Sequence, residues 1–416
     1  MTETYQQSGP LTGITVLEFA HVMAGPTCGR MLADLGASVI KIERLEGEDC
    51  RHMVPPWHGS EAAGFMMLNR NKRGICVNLK DPRGRQIALK MIERSDVTIE
   101  NFRTGTMERL GLGYETLKTI NPGLIYCEIS GFGRTGPYAD KGGYDVVAQA
   151  MGGIMSVTGE REGRPPVKSG VPVADIAAGL HGVIGILAAL IHREKTGKGQ
   201  RIDTSLLEAA ASFMTWPAAS FFADGSIAKP MGTAHPLDAP YQAFEASDGW
   251  FMVGGANQPN WLRLVKAIGR PELAEDPRFH KNEDRVKNLE TLVKELSKTF
   301  IQQPKAHWIA TLDAAGVPTG PINDVQEMLA DPQIKARGMV TEVRHSTLGQ
   351  VKTLGLPIRF TETPVAFDRG APVLGEHTSE VLAELGYTPA EIEDFIAAGI
   401  VLAGGQSYQR RGSAFD

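Results

Sequence analysis

Asp175 stands immediately before an apolar run, Ile176 to Ile191, that reads as a buried helix continuing to Arg193. A carboxylate there has two readings. Aspartate is a favoured helix N-cap, so its oxygen could simply accept a first-turn amide. The same amides and the helix dipole would also lower its pKa and keep it ionised at neutral pH. An ionised carboxylate at the mouth of a pocket can act as a nucleophile. Tyr144 and Asp145, after Gly142-Gly143, add a phenol and a second carboxylate earlier in the chain, although spacing alone does not bring them to Asp175.

Basic residues recur where strands are expected to end. Arg44 follows one strand, Asn69-Arg70-Asn71-Lys72-Arg73 precedes the next, and Asn101-Phe102-Arg103 with Arg109 follows another. In a parallel sheet the C-terminal strand ends share one side, where ligands bind. Their convergence would suit a ligand with several phosphates, and each taken singly is more often a solvated charge. Ala24-Gly25-Pro26 lies between a strand and a helix N-terminus, which favours anions. A dinucleotide would ask for GxGxxG there, and Ala-Gly-Pro-Thr-Cys-Gly stands instead. Gly254-Gly255-Ala256-Asn257 is a strand-end loop or a tight turn. No GxSxG elbow or HExxH pair occurs, and Cys28, Cys50, Cys76 and Cys127 are too scattered to hold a metal, so none is expected.

The elements that must position these groups alternate. Thr15–Phe19, Ser38–Ile42, Ile75–Asn78, Asp96–Glu100 and Leu124–Ile129 read as strands, with helices such as Pro26–Leu35 and Pro82–Ser95 between them. This pattern argues for α/β architecture with a doubly wound parallel sheet. The chain divides into a large domain over 1–210, a linker over 211–225, a small domain over 226–330 and a C-terminal segment over 331–416. Val286, Leu289, Leu292, Leu296 and Phe300 mark a surface helix, and Thr388-Pro389-Ala390-Glu391 is a capping box.

The 42% hydrophobic content suits a soluble globular protein, and the net charge of -5 leaves no excess of cations for a nucleic-acid backbone. The run from Ile176 to Ile191 falls short of the roughly 20 residues of a membrane helix. A polar N-terminus and unpaired cysteines lead to the expectation of a cytoplasmic protein without a membrane partner.

These motifs together resemble family III CoA-transferases, the group that includes formyl-CoA transferase, carnitine CoA-transferase and succinyl-CoA:glutarate CoA-transferase. The resemblance runs from Ala24-Gly25-Pro26 through Val39-Ile40-Lys41-Ile42-Glu43-Arg44, Asn71-Lys72-Arg73, Glu100-Asn101-Phe102, Gly131-Phe132-Gly133 and Gly143-Tyr144-Asp145 to Lys195-Thr196-Gly197-Lys198-Gly199-Gln200 and Leu374-Gly375-Glu376-His377-Thr378. It implies a Rossmann-like large domain completed by the C-terminal segment, a smaller α+β domain and an interlocked homodimer. Asp175 is then the nucleophile, with Tyr144 and Asp145 beside it and Gly254 and Gly255 supplying oxyanion amides. Val22, Arg44, Asn101, Phe102 and Arg109 match CoA-holding positions, with Lys72 and Arg73 in the same region. CoA and its acyl thioester are substrates, and no cofactor is permanently bound.

Formyl-CoA transferase differs in having Gln at Met23, Glu at Asp145 and Lys at Gly142, which argues against a formyl-CoA:oxalate specificity. Gly232-Thr233-Ala234-His235, Pro240-Tyr241-Gln242-Ala243-Phe244 and Gly316-Val317-Pro318 are more similar to the succinyl-CoA:glutarate type, which implies a short dicarboxylic acid and a succinyl-CoA donor. His21, Arg51 and His235 are the candidates to meet a second carboxylate. The related α-methylacyl-CoA racemases carry a His where Tyr144 stands. A racemase and a CoA-binding scaffold remain as alternatives.

Overall fold

A computed structural model describes residues 8–405. Two compact units form: one from the residues up to Ile154, Ser169–Thr215 and those from Pro332 onward, the other from Met155–Lys168 and Trp216–Asp331.

The first unit contains, in order, β1 (Thr15–Glu18), α1 (Ala24–Asp34), β2 (Ser38–Glu43), β3 (Arg73–Val77), α2 (Pro82–Ile92), β4 (Val97–Glu100), β5 (Ile125–Ser130), α3 (Asp145–Met151), α4 (Val173–Thr196) and β6 (Arg201–Ser205). They build a seven-stranded sheet in the order Val401–Leu402, β3, β2, β1, β4, β5, β6. β1 to β6 run parallel, and Val401–Leu402 closes one edge antiparallel to β3. β4 and β5 are buried along their whole length, because helices cover both faces of the sheet. The strand order turns back between β1 and β4, and that is where the crevice for a ligand lies in such sheets.

Local chemistry accounts for the helix ends. Asp81 caps α2 by accepting the Arg83 amide at 2.8 Å, with Pro82 at the first helical position. The expected capping box is present, with Thr388 and Glu391 bonding each other's amides. Gly197, at φ +72°, ends α4 in the left-handed conformation that glycine tolerates best.

α4 differs from expectation in two respects. It starts at Val173 with Pro172 as its N-cap residue, so Asp175 lies inside the first turn rather than before it. Nor is it buried all round. Ile176, Leu180, Ile184 and Ile191, at helical spacing, form an exposed apolar stripe. By length and composition the helix could cross a membrane, yet Ala174, Ala177, Ala178, Val183, Ile186 and Ala189 pack into the core with α1 and β5. The contact with α1 depends on absent side chains. A Cβ on Gly179 would lie 2.6 Å from the Ala24 carbonyl oxygen and 2.9 Å from Thr27 Cβ.

The C-terminal segment is tied into this unit by polar contacts as well as by its strand. Thr378 Oγ1 accepts the Cys76 amide at 3.2 Å and donates to the Leu402 carbonyl at 2.7 Å. Arg70 donates to Thr353 Oγ1 at 3.1 Å, and Arg51 to the Pro372 carbonyl at 2.9 Å.

The second unit has a three-stranded antiparallel sheet, Thr319–Pro321, Gly249–Gly254 and Tyr241–Ala246, packed with helices around Phe244, Phe251, Trp261, Phe300 and Trp308. The helix expected over 286–300 is broken at Asn288 into Asn282–Lys287 and Leu289–Phe300. Residues 211–225 are mostly helical where a linker was expected: Leu206–Ser212 is followed by Thr215–Asp224, which buries none of its side chains.

Replacing glycine by alanine inside a helix ordinarily gains about 1 kcal/mol. At Gly179 the added methyl meets the α1 backbone, so Gly179→Ala is expected to destabilise the protein by about 1–3 kcal/mol in urea unfolding. A variant as stable as the parent would contradict the close helix contact.

Candidate active site

Asp145, not Asp175, caps α4. It reaches the helix from outside: its Oδ1 accepts the Ala174 amide at 2.9 Å and the Asp175 amide at 3.2 Å. Gln149, one turn along α3 and fully buried, donates to Asp145 Oδ2 at 2.6 Å and accepts the Ser169 amide at 2.9 Å. Asp145 arrives there because Gly131 and Gly143 cross closely at the end of β5. A Cβ on Gly131 would stand 2.7 Å from Gly143 Cα. Tyr144, the residue just before, is 74% exposed and meets none of these groups.

This arrangement reverses the expected electrostatics of Asp175. Two first-turn amides are occupied by Asp145, and no hydrogen bond or ion pair of the Asp175 carboxylate is found among the described residues. Burial, and then the charge of Asp145, push Asp175 up to about 7 from the ordinary aspartate value of 3.8. The helix dipole works in the other direction, and desolvation outweighs it. Asp175 is thus a carboxyl poised between its two protonation states at neutral pH.

Gly179 follows Asp175 by one turn on the same face of α4, and it touches Ala24 at the start of α1. The segment just before Ala24 therefore leads into α1 at its close contact with α4. Its backbone is held at three consecutive residues. Lys41 Nζ donates to the Ala20 carbonyl at 2.7 Å. Asn101 accepts the His21 amide at 2.9 Å and donates to the His21 carbonyl at 2.8 Å. Glu48 Oε2 accepts the Val22 amide at 2.9 Å. Val22 has φ +63°, a conformation that branched residues rarely adopt.

The expected ligand face assembles around this segment. Arg44 is exposed and donates to Asp49 at 2.5 Å, and Asp49 lies 3.4 Å from His21 Nδ1. The His21 ring is 5.5 Å from that of Phe102. Arg44, His21, Val22, Asn101 and Phe102 therefore follow one another across the C-terminal ends of β2, β1 and β4. Arg109 is exposed further along the β4–β5 connection and donates to Thr106 Oγ1 at 2.9 Å. Arg103, also exposed, extends its guanidinium over Gly142, 3.4 Å from where a side chain there would begin.

Four expected site residues are placed elsewhere or otherwise engaged. Lys72 is wholly buried, 2.7 Å from Glu18 Oε2, and donates to Asn69 Oδ1 at 2.9 Å; burial pushes its ammonium down to about 8 against the pull of Glu18. Arg73 is paired with Glu380 and Glu384 of the C-terminal segment. Arg51 is buried, bonded twice to Glu43 at 2.8 Å and seated 3.6 Å over the Phe65 ring. Gly254 donates its amide to the Pro318 carbonyl at 2.8 Å, which removes it as an oxyanion donor.

Gly255 and His235 also belong to the second unit. A Cβ on Gly255 would be 3.0 Å from both Pro240 and Leu264. His235 stacks on Tyr241 and lies 3.4 Å from Asp238.

Residues that the sequence did not single out do much of the positioning. Arg134, in the loop after β5, donates to the Phe102 carbonyl and to Thr104 Oγ1 at 3.1 Å each, and it also pairs with Glu100 and Glu128. Lys41 and Glu48 form a buried ion pair at 3.2 Å. The available signal was Lys41 and Glu43 alternating with Val39, Ile40 and Ile42 in one strand, since charges are buried only when paired.

Comparisons with known proteins identify the family. Residues 11–378 match CoA-transferase family III. A succinyl-CoA:glutarate CoA-transferase of Mus musculus is 39% identical over 394 residues, 94% of this chain and 90% of that one. An acetyl-CoA:oxalate CoA-transferase of Acetobacter aceti is 39% identical, over 94% of this chain and 100% of that one. The crystal structure of a CAIB/BAIF family protein from Brucella suis superposes with a TM-score of 0.82 at 44% identity, covering 91% of this chain and 100% of that one. With its parallel sheet, its carboxylate at the head of α4 and a match along nearly its whole length, the chain belongs to CoA-transferase family III.

Proposed function

We propose that this enzyme moves CoA from succinyl-CoA to a short dicarboxylic acid, with Asp175 as the covalent carrier. The observation that carries the assignment is a carboxylate at the head of α4 with no hydrogen-bond partner among the described residues, one turn from the Gly179–Ala24 contact that brings up the Val22 segment. The similarity to succinyl-CoA:glutarate CoA-transferases supports the substrate class.

In this mechanism an Asp175 oxygen attacks the thioester carbonyl; the C–S bond breaks, giving an aspartyl–acyl anhydride and CoA thiolate. The thiolate then attacks the aspartyl carbonyl and expels the donor carboxylate, leaving an aspartyl-CoA thioester. The acceptor carboxylate attacks that carbonyl and again releases thiolate, which takes the acceptor acyl group and frees Asp175. Each step exchanges one acyl bond for another, so no redox partner or net proton is required. Arg44, Asn101, Phe102 and Arg109 hold the nucleotide portion of CoA, and Val22 and His21 lie along its path toward Asp175. The exposed stripe Ile176, Leu180, Ile184 and Ile191 supports a homodimer that covers it.

A carboxyl near neutrality is also suited to proton transfer, which favours an acyl-CoA racemase as the second reading. Solvent deuterium entering the α-carbon without CoA exchange would decide for it.

Only the ionised carboxylate is nucleophilic, so kcat/KM should rise with pH through an inflection near 7. Asp145→Asn keeps an oxygen for the Ala174 and Asp175 amides and removes the charge, so the inflection should move to lower pH. An unmoved inflection would separate Asp145 from the titration.

Asp175→Asn is expected to lower transfer about a thousandfold or more, with reversion by deamidation excluded by mass. Its stability should change in the opposite sense. The folded pKa lies above the unfolded one, so the contribution of this group is complete below pH 3.8 and is lost as pH rises through about 7. In denaturant titrations the variant should therefore exceed the parent by roughly 2–4 kcal/mol above pH 7 and match it near pH 3.

With succinyl-CoA as donor, glutarate should give a higher kcat/KM than valerate, because a site that pairs a second carboxylate leaves that partner unsatisfied when it is absent. A preference for valerate would reject the dicarboxylate assignment.

A further inference from the structure

We propose that Glu48, acting with Lys41, is a positioning residue that holds the Val22 segment in its CoA-binding geometry before the ligand arrives. The proposal rests on the reading of that segment as a CoA contact. Glu48 is 5% exposed and lies in the connection after β2, and its Oε2 accepts the amides of Val22 and Cys50 at 2.9 Å each. Its Oε1 is 3.2 Å from Lys41 Nζ, which itself bonds the Ala20 carbonyl at 2.7 Å and Glu18 Oε1 at 3.0 Å. Burial alone would raise the Glu48 pKa; Lys41 and the two amides outweigh it and hold the carboxylate ionised.

The segment needs such a device because Val22 at φ +63° is sterically disfavoured. A free loop would relax to negative φ and redirect the Val22 carbonyl and side chain. A charge-assisted bond to the Val22 amide opposes that relaxation. Asn101 holds the His21 carbonyl side of the peptide plane that enters Val22, and Glu48 holds its N–H side. Glu48 touches no reacting atom in this scheme, and its effect reaches the substrate only through Val22.

The test is a double-mutant cycle, read by calorimetric affinity for free CoA and by steady-state constants. Glu48→Gln should weaken CoA binding and raise KM for succinyl-CoA about tenfold, leaving KM for the acid acceptor unchanged. Glycine adopts positive φ without strain. In a Val22→Gly background the same Glu48→Gln change should therefore weaken CoA binding by less than about threefold. An equal loss in both backgrounds, or loss of thermal stability with CoA affinity unchanged, would overturn the proposal and leave the CoA site standing. Failure of the parent protein to bind CoA would instead remove the reading beneath it, and the proposal with it.

Hydrogen exchange of the unsubstituted protein gives an arm that does not depend on the variants folding. The Val22 amide should be protected without ligand, and exchange at the rate of an open loop would refute the proposal.

Discussion

The hydrogen bonds from two α4 amides to the Asp145 carboxylate are the interaction on which the site depends. They begin the helix at Val173, place Asp175 inside the first turn, and take the amides that would otherwise have stabilised its charge. Because Asp145 brings its own charge, the cap that orders the helix also adds to the rise that burial gives the Asp175 pKa. An aspartate serving as its own cap would be better solvated, more acidic and a weaker base. The structure instead divides the two tasks between two carboxylates, one bonded and one left available.

Delivering Asp145 to that position requires close backbone approaches. The glycine pair Gly131 and Gly143 lets the chain cross the end of β5, and Gly179 and Gly182 let α4 settle on α1 and the sheet. On the opposite side of the crevice the order comes from buried charge. Glu18, Glu43 and Glu100 each end a parallel strand and Glu128 lies inside β5, and each is paired with a Lys or Arg. Removing one partner from such a pair costs about 3–5 kcal/mol, so these charges make the loops above them rigid. Rigid loops lower the ordering cost of binding a flexible ligand such as CoA.

Much of this was legible in the sequence, for reasons that are local. Short apolar strands alternating with helices required a parallel sheet, and its ligand face follows from topology; that placed Arg44, Asn101 and Phe102 together. Asp175 was legible as the carboxylate ahead of an apolar helix. Its acidity was not, because the shift comes first from burial in the fold and then from the charge of Asp145, thirty residues earlier, neither of which the local sequence shows. Lys72 and Arg51 were misplaced for a related reason. A basic residue next to a strand reads as a surface charge until its partner is known, and Glu18 and Glu43 are themselves inside strands. The exposed apolar stripe of α4 was hidden by a run too uniformly apolar to show which face turns inward.

The central claim is that Asp175 carries CoA covalently. The most direct measurement is mass analysis of the proteolysed enzyme, quenched in acid after mixing with succinyl-CoA in the absence of an acceptor. The account predicts a CoA-thioester mass increment on the peptide containing Asp175, lost when an acceptor acid is added and absent from Asp175→Asn. Rapid exchange of CoA between acids with Asp175 unmodified, or an increment on another residue, would contradict it.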